Sequence, residues 1–229
     1  MLAFLCRIAL VGAALALMPI SDLTAAGASP SEIEQAVQAY ATKLKADQEK
    51  ATDQGVANRT TALLRDPATP VLGNPEGDVA VVEFFDYTCP FCKAVEPRLQ
   101  QLLKDDKGVK LIVKEFPILR PVSLVAAKAA LASVKQGKYE SFHQALIGFR
   151  GQLETSVVFE IAKSVGLDAD RLRKDMDAPE IADQIIANFN LARALNITTT
   201  PAFIVGTHML TEPSAEIDFA KTVAAARAK

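Results

Sequence analysis

Two cysteines separated by two residues are the part of this sequence best suited to chemistry. Cys89 and Cys92 enclose Pro90 and Phe91, and they directly follow an apolar, β-branched run of strand length. Apolar residues then recur with helical spacing. These patterns predict Cys89 at the N-terminus of a helix, where unpaired N–H groups favour the thiolate, the reactive form of cysteine.

The spacing also predicts the part played by the second cysteine. Cys92 lies about one helical turn after Cys89, so it can form a disulfide with Cys89 and resolve a mixed disulfide formed there. Two other uses of the pair are weaker on physical grounds. A structural disulfide across so short a loop would remove little entropy from the unfolded chain. A metal site would need further ligands, and the only histidines, His143 and His208, are distant in sequence.

The N-terminal residues have the pattern of an export signal. Residues 1–28 contain Arg7, a short apolar run and small residues near the end. Cleavage would remove Cys6 and leave Cys89 and Cys92 as the cysteines of the mature chain. An exported protein whose cysteines form one short pair uses them for exchange, so we expect a periplasmic location. An uncleaved membrane anchor is the alternative.

Length, composition and net charge restrict the number of domains and the classes of partner. The chain has 229 residues, half of them hydrophobic, and a formal net charge of −2. A chain of this length can bury the hydrophobic core of one ordinary domain and still form an additional segment. No basic stripe is present, so nucleic acid is not an expected partner. Disulfide exchange itself needs neither a metal nor an organic cofactor.

The order of predicted elements indicates an α/β fold. A strand, a helix and a second strand with short connections imply parallel strands joined by a right-handed crossover. A long helical region, a hairpin and a last helix follow. The predicted bounds are Val79–Phe85, Pro90–Leu103, Val109–Glu115, about 121–195 for the helical region, Ala202–Val205 with His208–Leu210, and Glu216–Ala228.

Residues 29–66 are predicted to form a separate helical arm. Ser31 and Glu34 have the spacing of a capping box. The apolar residues follow at alternating four- and three-residue steps, as in a coiled coil: Ile33, Val37, Tyr40 and Leu44. Such a stripe must pack on its own domain or on copies of itself. Turn-rich sequence then leads into the main domain, 67–229.

The motif around the cysteines resembles that of a known family. Glu83-Phe84-Phe85-Asp86-Tyr87 running into Cys89-Pro90-Phe91-Cys92 is similar to thiol–disulfide oxidoreductases of the DsbA type, and most similar to the branch that includes ScsC proteins. Lys114–Leu119 and Thr199–Gly206 match that branch as well, and the resemblance spans about 31–229. It implies a thioredoxin fold with an inserted helical domain over about 121–195.

The resemblance also implies three further site residues. Pro201 would follow a cis peptide bond after Thr200, face the cysteines and leave the preceding backbone free to pair with a substrate. Glu83 matches a buried acid that moves protons on and off the second thiol, Cys92. Since a buried carboxylate must be paired or protonated, we expect Lys114 as its partner. The alternatives are a turn without substrate contact at Pro201 and a solvated Glu83 at the sheet edge.

The function predicted from these residues is thiol–disulfide exchange in exported, cysteine-containing proteins, with a membrane redox partner that resets the pair. Two features, both read through the resemblance, favour an isomerase. The best-known strong oxidases have a histidine between their cysteines that helps to stabilise a thiolate, and none lies between Cys89 and Cys92. The resemblance also associates Thr200 with isomerase-type members. A homo-trimer or dimer through residues 31–65 would suit that activity. A lone histidine on a helix, such as His143, is usually structural or solvated.

Three alternatives remain open at this point. A monomeric DsbA-like dithiol oxidase would use the same cysteines. The resemblance to ScsC proteins, which are linked to copper tolerance, also allows a periplasmic Cu(I)-binding protein, because thiolates are soft ligands. A surface interaction protein would act through residues 31–65 and would not need Cys89.

Overall fold

The computed structural model describes residues 29–210 and 214–228. The predicted signal segment 1–28 therefore lies outside the described residues. The chain divides into two compact units between Thr52 and Asp53. No helix among the described residues is long and apolar enough to cross a membrane.

A mixed five-stranded sheet forms the centre of the second unit, with strand order β1-β3-β2-β4-β5. Strands β2 and β3 are parallel, and the other neighbouring pairs are antiparallel. Every residue of the central strand β2 is buried. The strands are β1 Val71–Gly73, β2 Val79–Phe85, β3 Val109–Glu115, β4 Ala202–Val205 and β5 His208–Met209.

Helices precede the sheet, connect its strands and follow it. A 3₁₀ turn at Val134–Gln136 follows α4. The α-helices are α1 Pro30–Ala57, α2 Thr60–Leu64, α3 Pro90–Asp105, α4 Pro121–Ser133, α5 Tyr139–Gly148, α6 Thr155–Ser164, α7 Ala169–Asp175, α8 Pro179–Ala194 and α9 Phe219–Arg227.

This arrangement confirms the predicted thioredoxin fold. Helix α3 connects the parallel strands β2 and β3, and helices α4 to α8 are inserted between β3 and β4. Strand β1 was not predicted. It has three residues and ends at Gly73 with φ of 78°, so it is too short to show an alternating pattern. Its pairing with β3 adds an antiparallel edge.

The start of α1 differs from the predicted capping box. The helix begins at Pro30, so the capping residue is Ser29 and not Ser31. The Glu32 N–H donates to Ser29 Oγ at 3.4 Å, and the Ser29 N–H donates to Glu32 Oε2 at 2.8 Å. The capping box is therefore displaced by two residues, because proline occupies the first helical position.

Two apolar layers cover the two faces of the sheet. One layer contains Val81 and Phe85 together with residues of α3 to α7. The other contains Phe84, packed with Val56 and Leu63. The buried side chains of Val56 and Leu63 explain why the compact unit starts at Asp53, earlier than the arm boundary expected at residue 66.

Lys114 lies on the second of these faces, with 1% of its surface exposed. Its Nζ donates to the Ala62 carbonyl at 2.9 Å and to Thr69 Oγ1 at 2.7 Å, and lies 3.5 Å from Asp66 Oδ2. The prediction that Lys114 pairs with Glu83 is wrong. Glu83 is opposite Val113 in the β2–β3 register, and successive side chains of a strand point to opposite faces.

The Lys114→Met substitution is expected to lower the free energy of unfolding by about 2–3 kcal/mol, because it removes the donor to the Ala62 carbonyl and the ion pair with Asp66. Gln184 Nε2 still donates to Asp66 Oδ2 and Thr69 Oγ1. It should leave the pH dependence of Cys89 alkylation unchanged, since the amine is on the other face of the sheet. Urea unfolding and alkylation kinetics measure the two effects. Lys110→Met, a half-buried lysine of the same strand, is the control and should change stability by less than about 0.5 kcal/mol. A displaced alkylation profile for Lys114→Met would contradict this placement.

Candidate active site

Asp86 fixes the turn that places the first cysteine. The turn joins β2 to α3, and Asp86 Oδ1 accepts hydrogen bonds from the Thr88 N–H at 2.7 Å and from Ser123 Oγ at 2.8 Å. Asp86 Oδ2 accepts from the N–H groups of Ile118 and Leu119, both at 3.0 Å. This buried carboxylate therefore ties the turn to the segment after β3, a role that sequence analysis missed.

Cys89 is the N-cap residue of α3, as predicted. Its Sγ accepts a hydrogen bond from the Cys92 N–H at 3.4 Å and donates one to the Thr200 carbonyl at 3.3 Å. The hydrogen bond from the Cys92 side chain is the largest cause that lowers the pKa of Cys89 to about 6, from an ordinary 9.0. The N–H groups at the helix start contribute in the same direction, and burial opposes them.

Cys92 has the opposite electrostatic environment. Burial is the main cause that raises the pKa of its thiol well above the ordinary value, and the hydrogen bond with Cys89 and the charge of Glu83 add to it. Both cysteines are present as thiols. The structure is thus the dithiol form, with a thiolate favoured at Cys89 and a neutral thiol at Cys92.

The Thr200–Pro201 peptide bond is cis, as the resemblance implies. Strand β4 begins at the next residue and pairs with β2, so the loop before it lies beside the turn that carries Cys89. The contact between the Thr200 carbonyl and Cys89 Sγ is the direct result. Contact of Thr200 and Pro201 with a substrate stays a prediction.

Glu83 lies in the middle of the central strand, with 2% of its surface exposed. A solvated position at the sheet edge is therefore wrong, because β2 has a neighbour on each side. Burial raises the pKa of Glu83 well above its ordinary value, and the charges of Glu96, Cys89 and Glu115 raise it further. Each of Glu83 and Cys92 thus makes ionisation of the other less favourable.

The structure brings together all five predicted site residues, Glu83, Cys89, Cys92, Thr200 and Pro201. In the part of the chain that the structure describes, no group of three or more His, Cys, Asp or Glu side chains is placed to hold a metal ion. Two thiolates alone are a sparse ligand set for Cu(I), which prefers sulfur. The copper alternative stays a prediction.

A family model for thioredoxin matches residues 65–225, which include the whole sheet and both cysteines. The chain belongs to the thioredoxin family. Among solved structures, this thioredoxin-family chain is similar to a thioredoxin-like oxidoreductase from Silicibacter pomeroyi, with 43% identity, a TM-score of 0.70, and coverage of 74% of this chain and 98% of the other. The catalytic domain of Proteus mirabilis ScsC has 26% identity, a TM-score of 0.69, and coverage of 77% and 99%.

Two curated relatives share parts of the thioredoxin-family domain. The thiol:disulfide interchange protein DsbA of Bordetella parapertussis is 28% identical over 149 residues, which cover 63% of this chain and 71% of that protein. The Na(+)/H(+) antiporter NhaA 3 of Salinispora tropica is 31% identical over 137 residues. That match covers 59% of this chain but 21% of the antiporter, so the name of the whole antiporter does not describe the shared segment.

Alkylation of Cys89 should reach half of its maximal rate near pH 6, because the thiolate is the reacting form. Cys92→Ala should move this midpoint upwards, since it removes the side-chain hydrogen bond to the thiolate. Cys92→Ser keeps a donor and is the matched control, with a smaller displacement. The rate of iodoacetamide modification against pH measures all three proteins. A wild-type midpoint near 9.0 would contradict the geometry.

Proposed function

We propose that this protein is a periplasmic thiol–disulfide oxidoreductase that exchanges disulfides in exported proteins, with isomerisation as its main direction. The observation that carries the proposal is the contrast between the two buried thiols. The pKa of Cys89 is lowered to about 6, and that of Cys92, one helical turn away, is raised. Cys89 is therefore a thiolate that can attack at neutral pH, whereas Cys92 stays a neutral thiol.

The exchange begins when the Cys89 thiolate attacks a client disulfide. One client S–S bond breaks, an S–S bond to Cys89 forms, and a client thiolate leaves with the electron pair. That thiolate can attack another client disulfide and rearrange the pairing. When a client thiolate attacks the mixed disulfide, Cys89 leaves as thiolate, so isomerisation transfers no net electrons.

The mixed disulfide between Cys89 and the client can also be resolved by Cys92. After losing its proton it attacks Cys89 Sγ, which releases the client in reduced form and oxidises the pair by two electrons. A membrane redox partner must then return two electrons and restore the dithiol. The reverse sequence, starting from the disulfide, would oxidise a client dithiol.

Two features of the site support client binding at Cys89. Phe91 has 64% of its surface exposed although it lies between the buried cysteines. The pairing of β4 with β2 begins at Ala202, so the backbone of Thr200 is not part of that ladder. An extended client segment that pairs with Thr200 would bring its sulfur towards Cys89.

Glu83 is proposed to accept the proton of Cys92 when Cys92 resolves the mixed disulfide. Its raised pKa makes it protonated at low pH and ionised at higher pH, so the rate of Cys92 attack should rise with pH through this titration. Glu83→Gln should remove that rise. Single-turnover release of a client from the mixed disulfide, from pH 6 to 9, measures the step. An unchanged profile in Glu83→Gln would contradict the proton role and leave exchange at Cys89 intact.

The arm supplies a further part of the proposal, self-association. Val37, Tyr40 and Leu44 are exposed to 41, 51 and 50%. The side chain of Ile33 is not among those that the structure describes. Because apolar side chains at heptad spacing are stabilised by packing against the same stripe of another helix, a second or third copy of this chain is the proposed occupant. Several Cys89 sites would then surround one client.

Light scattering and an isomerase assay test the direction of exchange together. The double variant Tyr40→Glu/Leu44→Glu should turn an oligomer into a monomer and reduce recovery of a client with scrambled disulfides, while oxidation of a reduced client continues. Thr42→Glu/Ala46→Glu, at exposed positions off the apolar stripe, is the matched control. A wild-type monomer that oxidises clients would instead identify a DsbA-like oxidase. Loss of all exchange in Cys89→Ala is required in both cases.

A further inference from the structure

Three cationic side chains lie on elements next to the cysteines, and the exchange steps above do not use them. Lys93 follows Cys92 on α3, Arg120 directly precedes α4, and Arg150 lies in the loop between α5 and α6. Lys93 is half-buried and the two arginines are exposed. We call Lys93, Arg120 and Arg150 the basic rim.

Lys93 joins the helix that carries the cysteines to the helical insertion. Its backbone N–H donates to the Cys89 carbonyl at 3.1 Å, so Lys93 lies one helical turn after Cys89. Its Nζ donates to the Phe149 carbonyl at 2.5 Å. Phe149 is the C-cap residue of α5, and carbonyl groups at a helix C-terminus favour a cation. The bond therefore holds the end of α5 against the first turns of α3.

This contact also determines where Arg150 lies. The Phe149 carbonyl belongs to the peptide group that leads into Arg150, so the backbone of Arg150 is held beside Lys93. The loop that follows is packed: a Cβ at Gly151 would lie 2.6 Å from the Phe149 ring. Leu153, with 8% of its surface exposed, attaches the far end of the loop to the core. Arg150 is thus presented from a fixed backbone.

Arg120 lies next to the turn that places Cys89. Its backbone N–H donates to Ser123 Oγ at 3.3 Å. The same hydroxyl donates to Asp86 Oδ1 at 2.8 Å and lies 3.0 Å from Thr88 Oγ1. Because Thr88 directly precedes Cys89, these contacts hold the start of α4 beside the first cysteine.

The basic rim has no carboxylate partner within the described part of the chain. None of its three side chains forms an ion pair there. Glu96, three residues after Lys93, instead accepts from Gln100 Nε2 at 2.8 Å. Burial lowers the pKa of Lys93 and the charge of Arg150 lowers it further, whereas that of Asp86 raises it.

The acids close to the cysteines are withdrawn from the surface. Glu83, Asp86 and Glu115 have 2, 1 and 1% of their surfaces exposed. The acid of the α5–α6 loop, Glu154, accepts from Gln152 Nε2 at 3.3 Å. A client that approaches Cys89 therefore meets exposed positive charge that no neighbouring carboxylate neutralises.

We propose that the basic rim selects client segments that carry Asp or Glu within about three residues of the cysteine, a reach of about 10 Å for an extended chain. The inference deepens the proposed function and rests on it, because it names a class of client. A client carboxylate would find cations that are free of other carboxylates. Complementary charge of this kind chiefly raises the rate of association and discriminates between partners.

Exchange kinetics with two matched peptides test the inference on the full chain. Each peptide carries its single cysteine as a 2-pyridyl disulfide, with Glu or Lys two residues before the cysteine, and release of pyridine-2-thione measures attack by Cys89. The Glu peptide should react about fivefold faster at low salt. The difference should nearly vanish at about 1 M salt, where the screening length falls to about 3 Å.

The sign of this preference is informative. The thiolate of Cys89 is negative, and the formal net charge of the chain is −2. Both favour the Lys peptide. A faster reaction of the Glu peptide therefore requires local positive charge beside the cysteine, as the basic rim provides.

Variants identify which residues supply that charge. Arg150→Glu should reverse the preference, and its exposed side chain makes the substitution compatible with the fold. Lys93→Gln keeps a donor for the Phe149 carbonyl while it removes the charge, and should lower the preference about twofold. Arg65→Glu is the matched control and should keep the wild-type ratio. Arg65 is also exposed, and it follows Leu63, which packs on the other face of the sheet.

The outcomes separate this inference from the proposed function. Equal rates for the two peptides at low salt, or a faster Lys peptide, would overturn the role of the basic rim and leave exchange at Cys89 intact. A Glu preference that persists in Arg150→Glu would overturn it as well. If wild type releases pyridine-2-thione no faster than Cys89→Ala from either peptide, the proposed function itself fails.

Discussion

Opposite electrostatic environments within one turn of α3 are the constraint on which the site depends. The thiolate of Cys89 faces hydrogen-bond donors at the helix start, whereas Cys92 lies over the buried acid Glu83. The backbone must be fixed for this contrast to persist, and Asp86 fixes it with hydrogen bonds to both sides of the turn. The β2–β4 pairing then places the Thr200 carbonyl beside Cys89 Sγ.

The alternation of side chains along the sheet keeps this environment acidic. Glu83 and Glu115 lie on the face towards α3, while Lys114 lies on the opposite face and donates to Ala62 and Thr69. A lysine on the Glu83 face would form a buried ion pair and stabilise the carboxylate. The pKa of Glu83 would then fall, because a neighbouring cation favours the charged carboxylate.

The local parts of this structure could be predicted from sequence, and the long-range parts could not, apart from the approach of Thr200 to Cys89, which the family resemblance implied. Strands β2 and β3 were predicted with their observed bounds, because buried β-branched runs end at clear turn signals. The Glu83–Lys114 pairing was wrong because it depends on the register between strands. The hydrogen bonds among Tyr87, Glu115 and His143 join residues 28 and 56 positions apart, so no spacing in the sequence indicates them.

The low pKa of Cys89 also bears on the direction of exchange. A thiol with a pKa of about 6 is a weaker nucleophile than an ordinary thiolate, but it is a better leaving group and is ionised at neutral pH. Under the proposed function, a client thiolate would expel Cys89 from a mixed disulfide before Cys92 loses its proton. Burial, the main cause that raises the pKa of Cys92, would slow the competing release of a reduced client, and this contrast is the physical reason for proposing isomerisation as the main direction.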